Sequence, residues 1–596
     1  MAAETSERDV VLQHARRGLR WLLVGGLLAS SACVAASSDP SPKLADASRT
    51  SVVVADEQYN KSPFGSYLAG LFAEKRRDLT AAADLMKRTV EDDPENERLL
   101  RRAFILFLGS GQYDTALKFA ERLAEREAGT TVSLLLLAAR SVKVGKFDDA
   151  QKWLQEVPIQ GLAKYSRPIA AAWIGAGLED YTTAIKSLGP LSKESSFGSL
   201  TDLHLALLHE LAGKSDGAMA VYTKATKDMD KAPLRVVRAM GAFLERRGET
   251  DQARQLYETY LKVHPTSYLM ISEKDRLEAG NAPVPIAADA AAGFAEGMFN
   301  LASALPLTRA GAAALLYVRL AAFLKPEFPV AQLLLGDILD QSDRHADSIA
   351  IYQNIALDSP YSWLARLKMA ASLDHVDRID EAKALLEQMA AERPAEIEPL
   401  VRLGSVLRVR EDFVGAEQAY NRAFQRLAEV TPNYWSLYYY RGISRERQKK
   451  WSEAEKDFLR ALELNPDQPY VLNYLGYSWV DQGVNLDRAK AMIERAVKQR
   501  RDDGYIVDSM GWVLYRLGAY GEAVQHLERA VELRPLDPII SDHLGDAYWR
   551  VGRRQEARFQ WRRALNLDPE REEIGKIETK IKNGLAPFEK KSGYGG

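Results

Sequence analysis

Tyr470, Asn473, Tyr477 and Val480 are separated by three, four and three residues. So are Tyr505, Asp508, Trp512 and Tyr515, and again Ile539, Asp542, Asp546 and Trp549. That spacing puts each set on one helical face. Tyr439 takes the second place of a further set that begins at Ser436, in the unit starting at Trp435. The chemistry open to these side chains is non-covalent recognition. Aromatic rings can anchor a partner, and carboxylates and amides can pair with its backbone or its basic groups. Tyr439, Tyr470, Asn473, Tyr477, Tyr505, Asp508, Trp512, Tyr515, Asp542, Asp546 and Trp549 are therefore the candidate protein-binding groove. A second reading is open: the same aromatics could pack between neighbouring helices as core. Half-exposed rings at the third and fourth places of each set would favour binding, with Tyr477 and Trp512 as anchors.

Covalent chemistry finds no comparable pattern. There is no glycine-rich phosphate loop, no nucleophile elbow and no His-Glu-x-x-His. Cys33 is the single cysteine, so neither an internal disulfide nor a cysteine-based zinc site can form. The eight histidines are scattered, and His204 and His209 stand five apart, the wrong interval for one helix face. No enzyme, cofactor or metal centre is expected. Paired acids such as Asp92-Asp93 and Asp502-Asp503 fall where solvated helix caps are expected. Lys and Arg total 80 against 82 Asp and Glu, a net charge of -2. Nucleic-acid binding, which favours a strongly basic chain, is not expected.

The elements that must position the stripes follow from a ladder of small residues. Ala82, Ala116, Ala150, Ala184 and Ala218 stand 34 residues apart. Ala253, Ala314, Ser348, Ala382, Ala416, Ala454, Ala489, Ala523 and Ala557 continue the series, with one long gap from 253 to 314. A period near 34 means one helical hairpin stacked many times. In the unit from Gly504 to Leu536, Gly511 is position 8, Gly518 is 15, Tyr520 is 17, Ala523 is 20, Leu527 is 24, Ala530 is 27 and Pro535 is 32. Gly518 ends the first helix and Pro535 stops the second. Positions 8 and 20 must be small because the two helices cross there. Gly336, Gly404, Gly442, Gly476 and Gly545 repeat position 8. Tyr352, Tyr420, Phe458 and Trp561 repeat position 24. This pattern resembles the tetratricopeptide repeat (TPR). It implies an all-α superhelix, an α-solenoid of about 14 hairpins, whose first helices line a concave face that binds proteins or peptides. The family's carboxylate clamp, Lys at position 5 with Asn at position 9, is missing, so acidic-tail recognition is not expected.

The long gap divides the ladder into two segments. Residues 63-265 read as N-terminal repeats, 266-294 as an irregular hinge around Pro283 and Pro285, and 295-569 as C-terminal repeats. Residues 570-584 read as a solvated capping helix and 585-596 as a disordered tail. The first stripes of the N-terminal units are blander: Arg98, Arg101 and Ile105, then Val132, Leu135 and Ala139. Arg550, Arg553, Arg554, Arg558, Arg562 and Arg563 form a basic run. It is either a solvated face opposite Ala557, Trp561, Ala564 and Leu565, or a contact for an acidic partner.

Upstream, Arg16, Arg17 and Arg20 precede the apolar run Trp21 to Ala29, then Ser30, Ser31, Ala32 and Cys33. Basic, apolar and small segments in that order form a secretory signal. The expectation is a signal peptide over 1-33 with lipidation at Cys33, then a flexible tether over 34-62. Cleavage after Ala35 or Ala36 without lipidation is the alternative, and a disordered tail is the bland one. Three C-terminal stretches, 472-483, 506-530 and 543-565, resemble proteobacterial outer-membrane TPR lipoproteins. That group includes the adaptor of a periplasmic carboxyl-terminal processing protease, which presents peptidoglycan hydrolases. The resemblance implies a non-enzymatic, periplasm-facing scaffold held to the outer membrane by a lipid anchor, with such a protease and cell-wall hydrolases as partners. Val34 suits outer-membrane sorting. The competing reading is a cytoplasmic chaperone-like or regulatory subunit.

Overall fold

Residues 62-192, 198-265 and 267-586 are described in a computed structural model of the chain. Cys33, the signal segment and nearly all of the tether lie outside the described residues, as does the tail from 587. Among the described residues every regular element is helical. Hairpins begin with Pro63-Lys75 and Leu79-Asp92 and run to Leu234-Arg246 and Thr250-Val263. They resume with Ala290-Ala304 and Leu307-Leu324 and end with Pro538-Arg550 and Arg554-Asn566.

The small-residue ladder is the inside of these hairpins. Every rung from Ala82 to Ala557 is fully buried, including Ser348. The serine is tolerated because its hydroxyl donates to the His345 carbonyl at 2.8 Å and meets the Ser372 hydroxyl at 3.0 Å. At each crossing the position-8 glycine lies against the position-24 side chain. A Cβ on Gly404 would come 2.5 Å from the Tyr420 ring, on Gly442 2.7 Å from Phe458, and on Gly545 2.5 Å from Trp561. The Gly336 and Tyr352 pair and the Gly241 and Tyr257 pair are closer still. Asp503 caps its helix through Tyr505 N at 3.1 Å, and Asp537 caps the next through Ile539 N at 2.9 Å and Ile540 N at 3.1 Å.

The chain divides into two compact units between Ala382 and Lys383, inside helix Ile379-Glu392. The break at 266-294 is therefore not the boundary between the units, as the gap in the ladder suggests; the residues on either side of it belong to the N-terminal unit. Its described residues hold one whole helix, Tyr268-Glu278, and the first turn of Ala290-Ala304. A turn at Gly280 (φ 72°) follows Tyr268-Glu278, and Pro283 and Pro285 come after it. The turn sends the next hairpin back across the inner helices of the preceding repeats. Helix Ala290-Ala304 packs on Thr131-Lys143, Ala163-Gly177 and Gly198-Leu211. Helix Leu307-Leu324 packs on Glu97-Ser110 and Thr131-Lys143. Gly293 meets the Trp173 indole and Gly297 meets Ile169, each too closely for a Cβ.

Polar contacts fasten this central hairpin. The Arg235 guanidinium donates to both Glu296 carboxylate oxygens, at 2.8 and 2.6 Å, and Glu296 is fully buried. Burial alone would raise the Glu296 pKa, but Arg235 outweighs it and the net shift is downward. Lys143 Nζ donates to Phe323 O at 2.8 Å and Arg319 Nε to Gly109 O at 3.2 Å. Helix Leu307-Leu324 is long and apolar enough to cross a membrane by length and composition. Here Ala314, Tyr317, Val318, Leu320 and Ala321 are buried in protein. The bland apolar stripe of the N-terminal units now has a physical reason. Leu135 and Ala139 are fully buried because the chain's own hairpin covers them.

The crossing geometry makes a testable prediction. Gly511→Ala would place a Cβ 2.5 Å from Leu527 Cγ. It should destabilise the C-terminal unit by about 1-3 kcal/mol. Gly521→Ala, on an exposed helix position with nothing within 4 Å, should be neutral or stabilise by up to about 1 kcal/mol. Urea midpoints of the two variants check this, and equal midpoints would contradict a tight crossing.

Candidate functional site

The inner helices of the C-terminal unit carry the candidate stripe, and the structure buries most of it. Tyr439, Tyr470, Asn473, Tyr477, Asp508, Tyr515, Asp542 and Asp546 are all buried, while Tyr505, Trp512 and Trp549 are partly exposed. Of the rings at the third and fourth places, Trp512 and Trp549 are partly exposed, while Tyr477 and Tyr515, at 3% and 6%, are buried rather than half-exposed.

The residues separate into two groups. Tyr439 packs against Phe458 (6.2 Å between ring centroids) and Tyr474 (5.9 Å), between adjacent hairpins. Tyr470 lies under the Arg500 guanidinium at 5.6 Å, and Tyr505 under that of Arg534 at 5.1 Å. These three rings serve repeat stacking. Asp508, Trp512, Tyr515, Asp542, Asp546 and Trp549 come together toward the end of the unit, with Tyr477 beside them.

At their centre is His543, which the stripe pattern did not single out. Its Nδ1-H donates to the Asp508 carboxylate at 3.0 Å, and its ring stacks on Trp512 at 4.1 Å. Trp512 stacks in turn on Tyr515 at 4.9 Å. Burial alone would lower the His543 pKa. Asp508 outweighs that effect, Asp542 and Asp546 add to it, and the net shift is upward. Burial and the neighbouring Asp546 raise the Asp542 pKa, against the pull of Lys580. Burial also raises the pKa of Asp481 and of the Tyr477 hydroxyl, the latter further through Asp508 and Asp481.

The second unforeseen member is the terminal helix, Arg571-Asn583. Its sequence reads as a solvated cap, yet it is seated on the stripe. Lys580 Nζ donates to Asp542 at 2.6 Å and to Asp546 at 2.9 Å. Asp546 also accepts from Trp561 Nε1 at 2.9 Å. Ile577 is buried in the core of the unit. Glu573 lies close enough to Tyr477 to raise its pKa, and Glu570 feels the charges of Arg447 and Glu411. Gly584 (φ 72°) ends the helix against the Trp549 indole, where no Cβ fits.

The basic run is spent on the same closure and on its own hairpin. Arg550 donates to Ala586 O at 2.7 Å, and Arg558 to Ile581 O at 3.2 Å. Arg553 pairs with Glu528 and Glu556, both at 2.9 Å. Arg554 and Arg558 lie over Trp549.

Around His543 three buried polar atoms have no partner, Trp512 Nε1, Asp542 Oδ1 and His543 Nε2, and Tyr470 OH and Asn473 Oδ1 on helix Pro469-Gln482 have none either. Among the described residues no group of His, Cys, Asp or Glu is arranged to hold a metal ion. The site can bind and orient a partner through shape, aromatic planes and carboxylates. His543 and Lys580 could have been sought as the basic groups that so many inward carboxylates require.

Comparison with known proteins agrees with this architecture. Residues 511-552 match a TPR repeat model, and 435-468 and 239-267 match tetratricopeptide repeat models. The chain thus carries tetratricopeptide repeats. It is 27% identical over 197 residues to TPR repeat-containing protein PA4667 of Pseudomonas aeruginosa, covering 33% of this chain and 33% of that protein. It is 27% identical over 128 residues to Superkiller complex protein 3 of Mus musculus, covering 21% of this chain and 8% of that protein. The matched region thus spans a third or less of either relative. Among solved structures, the Cut9-Hcn1 tetramer of the APC/C is similar at TM-score 0.38 and 15% identity, over 89% of this chain and 98% of that one.

The histidine supplies a pH test. A folded pKa raised above the ordinary 6.5 makes a stability contribution that is complete below that value. It is lost as pH rises through the folded pKa. The charges facing His543 are Asp481, Asp508, Asp537, Asp542 and Asp546. Wild type should lose thermal stability on going from mildly acid to alkaline pH more steeply than His543→Gln. Parallel melting curves across that range would contradict the assignment.

Proposed function

We propose that this chain is a scaffold of the bacterial cell envelope that holds protein partners on the inner face of its C-terminal repeats. TPR repeats mark a protein-protein interaction scaffold, and this fold is generally non-enzymatic. The observation that carries the choice of surface is the contrast between the two units. The inner face of the N-terminal repeats is filled by the central hairpin and tied by the buried Arg235 and Glu296 pair. The C-terminal inner face keeps carboxylates and partly exposed tryptophans under a single helix.

Location in the envelope rests on the sequence. The basic, apolar and small residues from Arg16 to Ala32 lead to Cys33, the acceptor for a lipid anchor. The partner class proposed is a periplasmic carboxyl-terminal processing protease together with the cell-wall hydrolases it degrades. It is supported by the resemblance of the C-terminal stretches 472-483, 506-530 and 543-565 to outer-membrane TPR lipoproteins.

Metabolic labelling with an alkynyl fatty acid tests the anchor: wild type should be labelled and fractionate with membranes, and Cys33→Ser should be unlabelled. Crosslinked pull-down from the same cells should then recover envelope proteins, a protease and peptidoglycan hydrolases among them. An unlabelled wild type that captures only cytosolic proteins would favour a cytoplasmic regulatory subunit. Tyr477→Ala is a poor probe of capture, because truncating so buried a ring costs stability of its own, about 3-5 kcal/mol for a large aromatic.

A further inference from the structure

We propose that the inner face of the C-terminal unit is a groove for a basic amphipathic helix carried by a partner protein, and that the chain's own terminal helix occupies this groove as a resident competitor. This deepens the scaffold reading and rests on it.

The terminal helix shows what the groove accepts. Ile577 enters the core, and Lys580, one turn on, is held between Asp542 and Asp546. Ile581 packs beside it against the same core. An aliphatic residue, two spacers, then a basic and an aliphatic residue is one helical stripe. The basic group sits between two carboxylates, Asp542 and Asp546, and His543 beside them is paired with Asp508. A helix presenting Lys or Arg at that place is the chemistry that complements them.

The fit of the resident helix is incomplete. Asp542 lends Oδ2 to Lys580, but its Oδ1 has no partner, and the same holds for Asn473 Oδ1, Trp512 Nε1 and His543 Nε2. Asn473, Asp542 and His543 are each more than nine-tenths buried. Unpartnered buried polar atoms cost free energy, and a ligand that satisfied more of them would bind in preference. Ile577 is the helix's one fully buried side chain, and the rest of its hold is polar, through Lys580 and the Ile581 carbonyl. The helix joins the last hairpin through a short connection at Asp568, whose φ is 56°, and Pro569. Partner entry is then an exchange of one helix for another on a preformed surface.

The test uses the full chain and a labelled synthetic peptide of residues 570-586 as the probe. In wild type the resident helix competes. Lys580→Glu sets a carboxylate against Asp542 and Asp546 and should expel it, and Ile577→Glu with Lys580→Glu should do so more completely. Amide hydrogen exchange of 571-583 reports the release. The released variants should bind the peptide at least about tenfold more tightly than wild type, because the open fraction of the groove sets the apparent affinity. Asp542→Asn with Asp546→Asn in the Lys580→Glu background should abolish that gain.

Three results would overturn the proposal: a terminal helix that stays protected even in the double variant, a released chain that binds the peptide no better than wild type, or binding indifferent to the Asp542 and Asp546 changes. Concentration-dependent dimerisation of wild type that Lys580→Glu removes would assign the groove to a second copy of the chain instead. The scaffold reading stands or falls separately. Peptide binding can fail while envelope proteins are still captured, and capture can fail while the peptide binds.

Discussion

The structure depends on one contact repeated in many of the hairpins: a small residue, often glycine, at position 8 of the first helix against a large side chain at position 24 of the second. Gly404 on Tyr420, Gly442 on Phe458, Gly511 on Leu527 and Gly545 on Trp561 set how closely the two helices of each hairpin approach. The buried alanine or serine at position 20 keeps that approach clear. A hairpin built this way has an apolar face on each side and cannot be stable alone, so neighbours must stack and a superhelix must follow. The direction of the inner faces, and with it every candidate binding residue, is a consequence of that crossing.

An inner face must be wetted, bound or filled, and this chain fills both of its own to different degrees. In the N-terminal unit the filling is thorough. Helix Thr131-Lys143 is apolar nearly all round, Leu134 to Ala139 are buried, and the central hairpin supplies Glu296 to Arg235 and Phe323 O to Lys143. A buried ion pair of that kind is costly to break from one side, about 3-5 kcal/mol. In the C-terminal unit the filling is a single helix with one buried isoleucine and one lysine, laid over carboxylates that it only partly satisfies. The first arrangement looks like core and the second like an exchangeable ligand.

The hairpins, their register and their crossing residues were legible in the sequence, because they are local and repeat. The ladder predicted six hairpins before the gap and eight after it, and that is where the helices fall. What the gap does was not legible. Two prolines near a turn signal a break, but whether the chain then leaves or returns is decided by contacts nearly two hundred residues apart, such as Lys143 with Phe323. The apolar stripe of Leu135 and Ala139 was the available sign of a covered face. At the candidate site, side-chain types and spacing were readable, but their burial was not. Tyr439 and Tyr470 proved to be stacking residues, and the partner of Asp542 and Asp546 proved to be Lys580, on a helix whose charge pattern suggests solvent.

Native-state hydrogen exchange on the full-length chain compares the two fillings directly. If the chain closes its own N-terminal inner face as core, amides of 290-304 and 313-324 will be protected as strongly as those of the inner helices 131-143 and 163-177. Exchange of the central hairpin at the rate of exposed surface helices, while those inner helices stay protected, would contradict that account.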